Sequence, residues 1–362
     1  MKLGVEAALV GGSLVSGDVE VVDGVIARYG VDGPGRGIAV PGFVDLQVNG
    51  FDGVDFLSAD AQGYERAGEA LLVTGVTGYL PTLTTTPEDE LVAAMREIPA
   101  RAHGARILGI HLEGPFLAPG RLGAHSPTAR RDPDPALLER LLDAGPVRMM
   151  TLAPELDGAD ELIDLLGRRG VVVSCGHSDA TAEQAHRAFD SNARTVTHLF
   201  NAMRPFGHRE PGIAGAALAR EDVVVQVIND GIHLAPDTVK VIWHAAPGRV
   251  ALVTDAMAGA RLGDGTYSLG ALVVVVRNGA ARGPTGVLAG SVLTMIDAVR
   301  NLHALGVQLE DAVAAATSVP AAVLRLPTVG RIDRGLPADL VVLDDRLEIG
   351  RVLVGGEARL VA

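Results

Sequence analysis

Five apolar runs of strand length each stop at a residue able to bind a metal or move a proton. They are Ile107 to Glu113, Val171 to His177, Thr195 to His198, Val223 to Asp230 and His233, and Val250 to Asp255. A run that is apolar throughout belongs to a strand buried on both faces, as in a parallel sheet. Helical stretches separate the runs, among them Asp134 to Ala144, Ala159 to Arg169 and Pro236 to His244. The alternation is the βα rhythm of a parallel sheet. Strands that repeatedly end in His, Glu or Asp describe the mouth of a β/α barrel, where loops at the C-terminal strand ends gather the chemistry. Thr86-Pro87-Glu88-Asp89 reads as a helix entry, with Thr86 as cap ahead of a proline and two acids.

The two ends of the chain have a different rhythm. Residues 3–40 alternate apolar and polar positions with frequent glycine, and residues 330–360 do the same around Ala338 to Asp344 and Arg351 to Gly356. Both predict short antiparallel strands joined by tight turns. Neither segment can bury an apolar face alone, so pairing them is the economical solution. The expected architecture is α/β: a TIM-like (β/α)8 barrel over residues 41–329, with a small β-sandwich module made from residues 1–40 and 330–362. Near residues 261–285 the helical rhythm gives way to a glycine-punctuated β pattern, Tyr267 to Val276, which predicts a β-hairpin insertion.

Length and charge narrow the function. A chain of 362 residues holds one barrel of roughly 250 residues and a smaller module. The formal net charge of −13 argues against sequence-independent nucleic-acid binding, which needs a basic face. A few Arg and His residues inside a pocket can still hold an anionic small molecule. Cys175 is the single cysteine, so no intrachain disulfide forms. No stretch reaches 18 uninterrupted apolar residues and no long apolar segment follows Met1, so the expectation is a cytoplasmic protein without a membrane span. Lysine occurs only as Lys2 and Lys240, which leaves little scope for Schiff-base chemistry or a lysine bridging two metals.

The chemistry-bearing residues divide by context. Glu113 leaves its run at Gly114-Pro115, where the chain must turn. His177 and His198 close β-branched runs. One Glu and two His from separate strands suit a catalytic zinc site, which keeps three protein ligands and one open position. Asp255, beside water whose pKa a cation lowers to about 7, is placed to take a proton and return it to a leaving group. His125, in a glycine-rich loop, reads equally as an electrophile or a surface residue. His111 shares the strand face of Glu113 and reads as support for the site or as core. His103, His186, His208, His244 and His303 have no evident partner, and Cys175 reads as a small buried filler.

A set of strings carries a family resemblance. Pro41-Gly42-Phe43-Val44-Asp45, His111-Leu112-Glu113-Gly114-Pro115, Gly176-His177-Ser178, Thr197-His198-Leu199-Phe200-Asn201-Ala202-Met203, Arg209-Glu210-Pro211-Gly212, Asp230-Gly231-Ile232-His233, Val253-Thr254-Asp255-Ala256 and Leu288-Ala289-Gly290-Ser291 resemble, in order, the N-acetylglucosamine-6-phosphate deacetylases of the amidohydrolase superfamily. The resemblance runs from about residue 41 to 295, and Gly335 to Leu343 looks like the closing strand of the superfamily's β module. It implies a metal-dependent hydrolase barrel that cleaves the acetyl amide of a phosphorylated amino sugar. Carried over by position, Glu113, His177 and His198 hold one divalent metal ion per subunit, zinc first, with iron, cobalt or manganese acceptable to the same donors. Asp255 becomes general base and acid, and His125 polarises the acetyl carbonyl. Ala124, His125, Asn201, Ala202, Arg209, Asp230, His233, Leu288, Ala289 and Gly290 are implied to contact the substrate. Arg209 is implied to reach the site of a neighbouring subunit in a homodimer.

One departure from the wider superfamily bears on the metal count. Where many members carry His-x-His on the first barrel strand, this chain has Gln47 and Asn49, neutral amides that ligate zinc or iron poorly beside imidazole. With no usable bridging lysine, the expectation is a single ion. The rival readings are another amidohydrolase activity, the same deacetylation on the galactosamine epimer, and a non-catalytic sugar-phosphate sensor. The last of these predicts a lost ligand or base, and none is lost.

Overall fold

The computed structural model describes residues 1–361. Its centre is a run of eight parallel strands: Phe43–Val48, Val76–Thr84, Ile110–Glu113, Val147–Leu152, Val172–Cys175, Ala193–Val196, Val224–Val227 and Val250–Leu252, each paired with the next. All residues of the first, third, fifth and eighth strands are buried, which is why the sequence runs are apolar rather than alternating. Helices between the strands cover the outside. The helix Pro135–Ala144 turns Leu137, Leu138, Leu141 and Leu142 inward, and the Asp134 side chain caps it by accepting from the Ala136 and Leu137 N–H groups.

The ring closes without a ladder. Between the first and last strands there is one isolated bridge, Val48 to Ala256, and two flanking bonds, from Asp255 N–H to Gln47 O at 2.9 Å and from Asn49 N–H to Ala256 O at 2.7 Å. The third strand is interrupted. Its first piece, Arg106–Ile107, pairs with the second strand before Gly109, which holds φ 135°.

Barrel interiors are usually filled by branched aliphatic side chains. Just below the site this one has a hydrogen-bonded polar layer instead. His111 bonds to Thr82 Oγ1 at 3.1 Å and Thr151 Oγ1 at 2.8 Å, Thr151 to Thr197 at 2.7 Å, and Thr197 to Ser174 at 2.5 Å. Full hydrogen bonding is what makes such a layer tolerable in the core.

The chain ends share one six-stranded sheet, ordered Ser13–Ser16, Ala7–Val10, Ile38–Pro41, Leu340–Leu343, Ile349–Val354 and Glu357–Val361. Ala7–Val10 runs parallel to Ile38–Pro41, although the alternating pattern predicts antiparallel strands at this end. A separate cluster including Val5, Val19, Ile26, Ala39, Leu340 and Leu353 packs inside this region.

Two local readings change. Thr86 does not cap a helix: the helix Glu88–Glu97 has Pro87 as its N-cap, with ψ 145°, and no side-chain cap bond. Proline keeps Thr86 out of the helical region, and the Thr86 hydroxyl bonds to Glu90 Oε2 at 3.1 Å. The insertion has three strands rather than two, Gly265–Leu269, Leu272–Arg277 and Ala280–Arg282. The short third strand pairs through small, weakly patterned residues and leaves little signal in sequence.

Candidate active site

Glu113, His177, His198 and Asp255 meet at the C-terminal mouth of the barrel, in a cavity of about 860 Å³. Glu113 Oε1 lies 3.1 Å from His177 Nε2 and 3.1 Å from His198 Nε2, and the two imidazole nitrogens are 3.1 Å apart. His177, His198 and Asp255 follow their strands with left-handed backbone, φ 48°, 29° and 50°. Such conformations cost non-glycine residues roughly 1–3 kcal/mol, and here they mark where each strand breaks off into its loop.

Hydrogen bonds fix the state of two rings. His177 Nδ1 donates to the Arg121 carbonyl at 2.9 Å, so its Nε2 presents a lone pair to the cluster. Burial, then the charge of His125, pushes His177 down to about 4, and it is neutral near pH 7. His125 Nδ1 accepts from the Thr85 N–H at 3.2 Å, so Nε2 carries the proton and donates. It stands 3.5 Å from Glu113 Oε2.

Burial opposes ionisation of Glu113, but hydrogen bonds from His125 and His198 hold its carboxyl well below the usual range. Burial likewise opposes charge on His198, and the hydrogen bond and charge of Glu113 outweigh it. Asp255 moves the other way: burial, then the charge of Glu113, lifts it to about 6.

These donors fit a cation. The three candidate ligand atoms, each 3.1 Å from the others, have a common centre about 1.8 Å away, inside the about 2.0–2.2 Å of zinc–nitrogen and zinc–oxygen bonds. One ion can therefore touch all three from one side. A second trio, Glu113, His125 and His177, also lies within 4.8 Å. The protonated Nε2 of His125 makes it the poorer ligand, and its distance to Glu113 is the longer one.

The remaining expected contacts separate into two groups. Ala124, His125, Asn201, Ala202, His233, Leu288 and Gly290 line the cavity. Asp230 lies behind, its Oδ2 bonded to His233 Nδ1 at 2.7 Å, which leaves the other ring nitrogen toward the cavity. Ala289 is fully buried in the core of the inserted sheet, and its N–H donates to Ala281 O. Arg209 is exposed and is not among the cavity residues. The arginine that does line the cavity, Arg121, is bonded to Asp179 at 2.7 and 2.9 Å.

A family model described as the Amidohydrolase family matches residues 38–359. The chain belongs to the amidohydrolase family. The N-acetylglucosamine-6-phosphate deacetylase of Mus musculus is 40% identical over 341 residues, 89% of this chain and 83% of that protein. The N-acetylgalactosamine-6-phosphate deacetylase of Escherichia coli O157:H7 is 34% identical over 352 residues, 94% of this chain and 93% of that protein. A mutant N-acetyl-D-glucosamine-6-phosphate deacetylase from Mycobacterium smegmatis, solved in complex with N-acetyl-D-glucosamine-6-phosphate, matches with TM-score 0.95 and 39% identity over 99% of each chain.

Within this amidohydrolase site, sequence reasoning missed two supports. Thr85 fixes the His125 tautomer and donates its hydroxyl to Glu113 O at 3.1 Å. Its signal was available, because Thr84-Thr85-Thr86 is another polar strand exit. Glu155 holds the loop after His177, accepting from Ser178 Oγ at 2.7 Å and Asp179 N–H at 2.5 Å. No local pattern marks it.

Proposed function

We propose that this amidohydrolase cleaves the acetyl amide of N-acetylglucosamine 6-phosphate, giving glucosamine 6-phosphate and acetate, in amino-sugar breakdown in the cytoplasm. The observation that carries the reading is the close trio of Glu113, His177 and His198 with Asp255 beside it, in a chain 40% identical to a protein of that name. Glu113, His177 and His198 hold one divalent ion, zinc first. When bound, the ion supplies Lewis acidity and makes water acidic enough to attack near neutral pH. Asp255 takes the proton of the attacking water as its oxygen bonds to the acetyl carbon. His125 donates through Nε2–H to the carbonyl oxygen as negative charge develops there. Asp255 then hands its proton to the amide nitrogen, the C–N bond breaks, and the free amine and acetate leave. A carboxyl pushed up to about 6 suits both roles near neutral pH.

His233, Asn201, Ala202, Leu288 and Gly290 take the sugar phosphate, with Asp230 orienting His233. With Arg121 engaged by Asp179, the cavity has no uncommitted arginine among the described residues. That supports a homodimer in which Arg209 completes the partner's phosphate site. We read residues 41–329 as the catalytic barrel and residues 1–40 with 330–362 as one β module.

The test is acetate release from N-acetylglucosamine 6-phosphate, its galactosamine epimer and the unphosphorylated sugar, with and without chelator. Chelator-sensitive release from the phosphorylated glucosamine substrate is expected. Faster release from the epimer would move the assignment to the galactosamine enzyme, and no release from any of them would overturn it.

A further inference from the structure

Gln47 and Asn49 stand two residues apart on the first barrel strand and its exit, and both are buried. Gln47 Nε2 donates to Glu113 Oε1 at 3.0 Å and to Asp255 Oδ1 at 3.0 Å, which uses both hydrogens of its amide. Asn49 Nδ2 donates to the same Asp255 Oδ1 at 2.6 Å. Asp255 Oδ1 is thus held by two donors, while Oδ2 has no hydrogen-bond partner among the described residues. Asp255 itself lines the cavity.

We propose that Gln47 and Asn49 are positioning residues that fix which oxygen of Asp255 handles the proton and hold Asp255 and Glu113 side by side. The proposal rests on the reading of Asp255 as base and acid. Two buried carboxylates repel each other, and an NH₂ group shared between them places positive dipole ends on both. An oxygen that accepts two hydrogen bonds is the weaker base, so proton transfer falls to Oδ2.

The amide orientation supports this role. Gln47 Oε1 and Asn49 Oδ1 are buried without partners, a cost that flipping either amide would not relieve, because its oxygen would then face a carboxylate. The side chains are not needed to join the strands. Backbone bonds from Asp255 N–H to Gln47 O and from Asn49 N–H to Ala256 O already do that, so variants that keep the backbone should fold.

Asn49→Leu removes a donor to Asp255 alone, and Gln47→Met removes donors to both carboxylates. Each is measured for kcat and KM of acetate release, bound zinc, and Tm in the wild-type and Asp255→Asn backgrounds. Charge-assisted bonds of this kind predict a fall in kcat of about ten-fold to a hundred-fold with KM nearly unchanged. Asn49→Leu keeps its zinc, whereas Gln47→Met binds it more weakly. The Tm loss caused by Asn49→Leu shrinks when Asp255 is already Asn. A wild-type kcat in Asn49→Leu, or an equal Tm loss in both backgrounds, overturns the proposal. If the wild-type chain releases no acetate, the catalytic reading fails, and the Tm comparison still decides whether Asn49 holds Asp255.

Discussion

The role proposed for His125 depends on one backbone group. The Thr85 N–H points at Nδ1 and leaves the ring proton on Nε2, where a carbonyl oxygen can use it. Replacing His125 with alanine removes that donor, and oxyanion donors are worth about 10²–10³ in rate. His125→Ala should therefore lose kcat by about that factor and change KM far less; equal effects on both would mean that His125 binds substrate instead. As the proposed base, Asp255 should set the acid limb of the pH profile. Its carboxyl is lifted to about 6 by burial and by Glu113, and a bound cation would offset Glu113. As a base it works ionised, so kcat/KM should fall as pH drops through about 6 or below, and a limb centred above 7 would point to another group. At this scale the sequence was informative about identity. Glu113, His177, His198 and Asp255 stand out because polar residues end apolar runs. It was uninformative about state, because Arg121 and Glu155 act through atoms that no pattern brings near their targets, and the strand exit at Thr85 does not show which ring nitrogen its N–H meets.

The weak element of the barrel is its seam. Where the first strand meets the last there is a single bridge, and Asp45 reinforces it. Asp45 Oδ2 accepts from Thr254 Oγ1 at 2.6 Å, and Oδ1 accepts from the Thr254 and Gln47 N–H groups at 3.2 Å each. Burial pushes this carboxyl up to about 7, above the about 4 of an unfolded aspartate. The folded chain therefore holds this proton where the unfolded chain has lost it. Stability contributed by Asp45 is full below about pH 4 and is lost as pH rises through about 7. In Asp45→Asn the pH-dependent loss between pH 5 and 8 should be smaller, as read from denaturant unfolding at both values. An unchanged difference would mean that another group sets the slope. Five of the eight strands, the third and the fifth to eighth, were legible as apolar runs ending in polar residues. The seam was not, because it depends on how far the ring closes.

At the scale of the whole molecule, an acidic chain proposed to take a sugar phosphate needs a local positive charge at its site. Arg209 lies on the surface, while the cavity's own arginine is tied to Asp179. If a partner completes each site, Arg209→Ala should raise KM for the phosphorylated sugar and narrow its advantage over the unphosphorylated one. Mixed dimers of Arg209→Ala and Asp255→Asn chains should recover activity, because one of their two sites keeps both residues. Failure of mixed dimers to exceed the separate variants would place the phosphate contact within one chain.

The sequence alone determined the barrel, the joined ends and the four residues at the mouth, because strand burial and strand-exit chemistry are periodic and local. Only the tertiary structure decided which nitrogen of each histidine faces inward, which oxygen of Asp255 stays open, and that Ala289 points into a core rather than the cavity. These depend on distances between segments up to about 200 residues apart, as between Gln47 and Asp255, and such distances are set by the closed ring and not by any pattern along the chain.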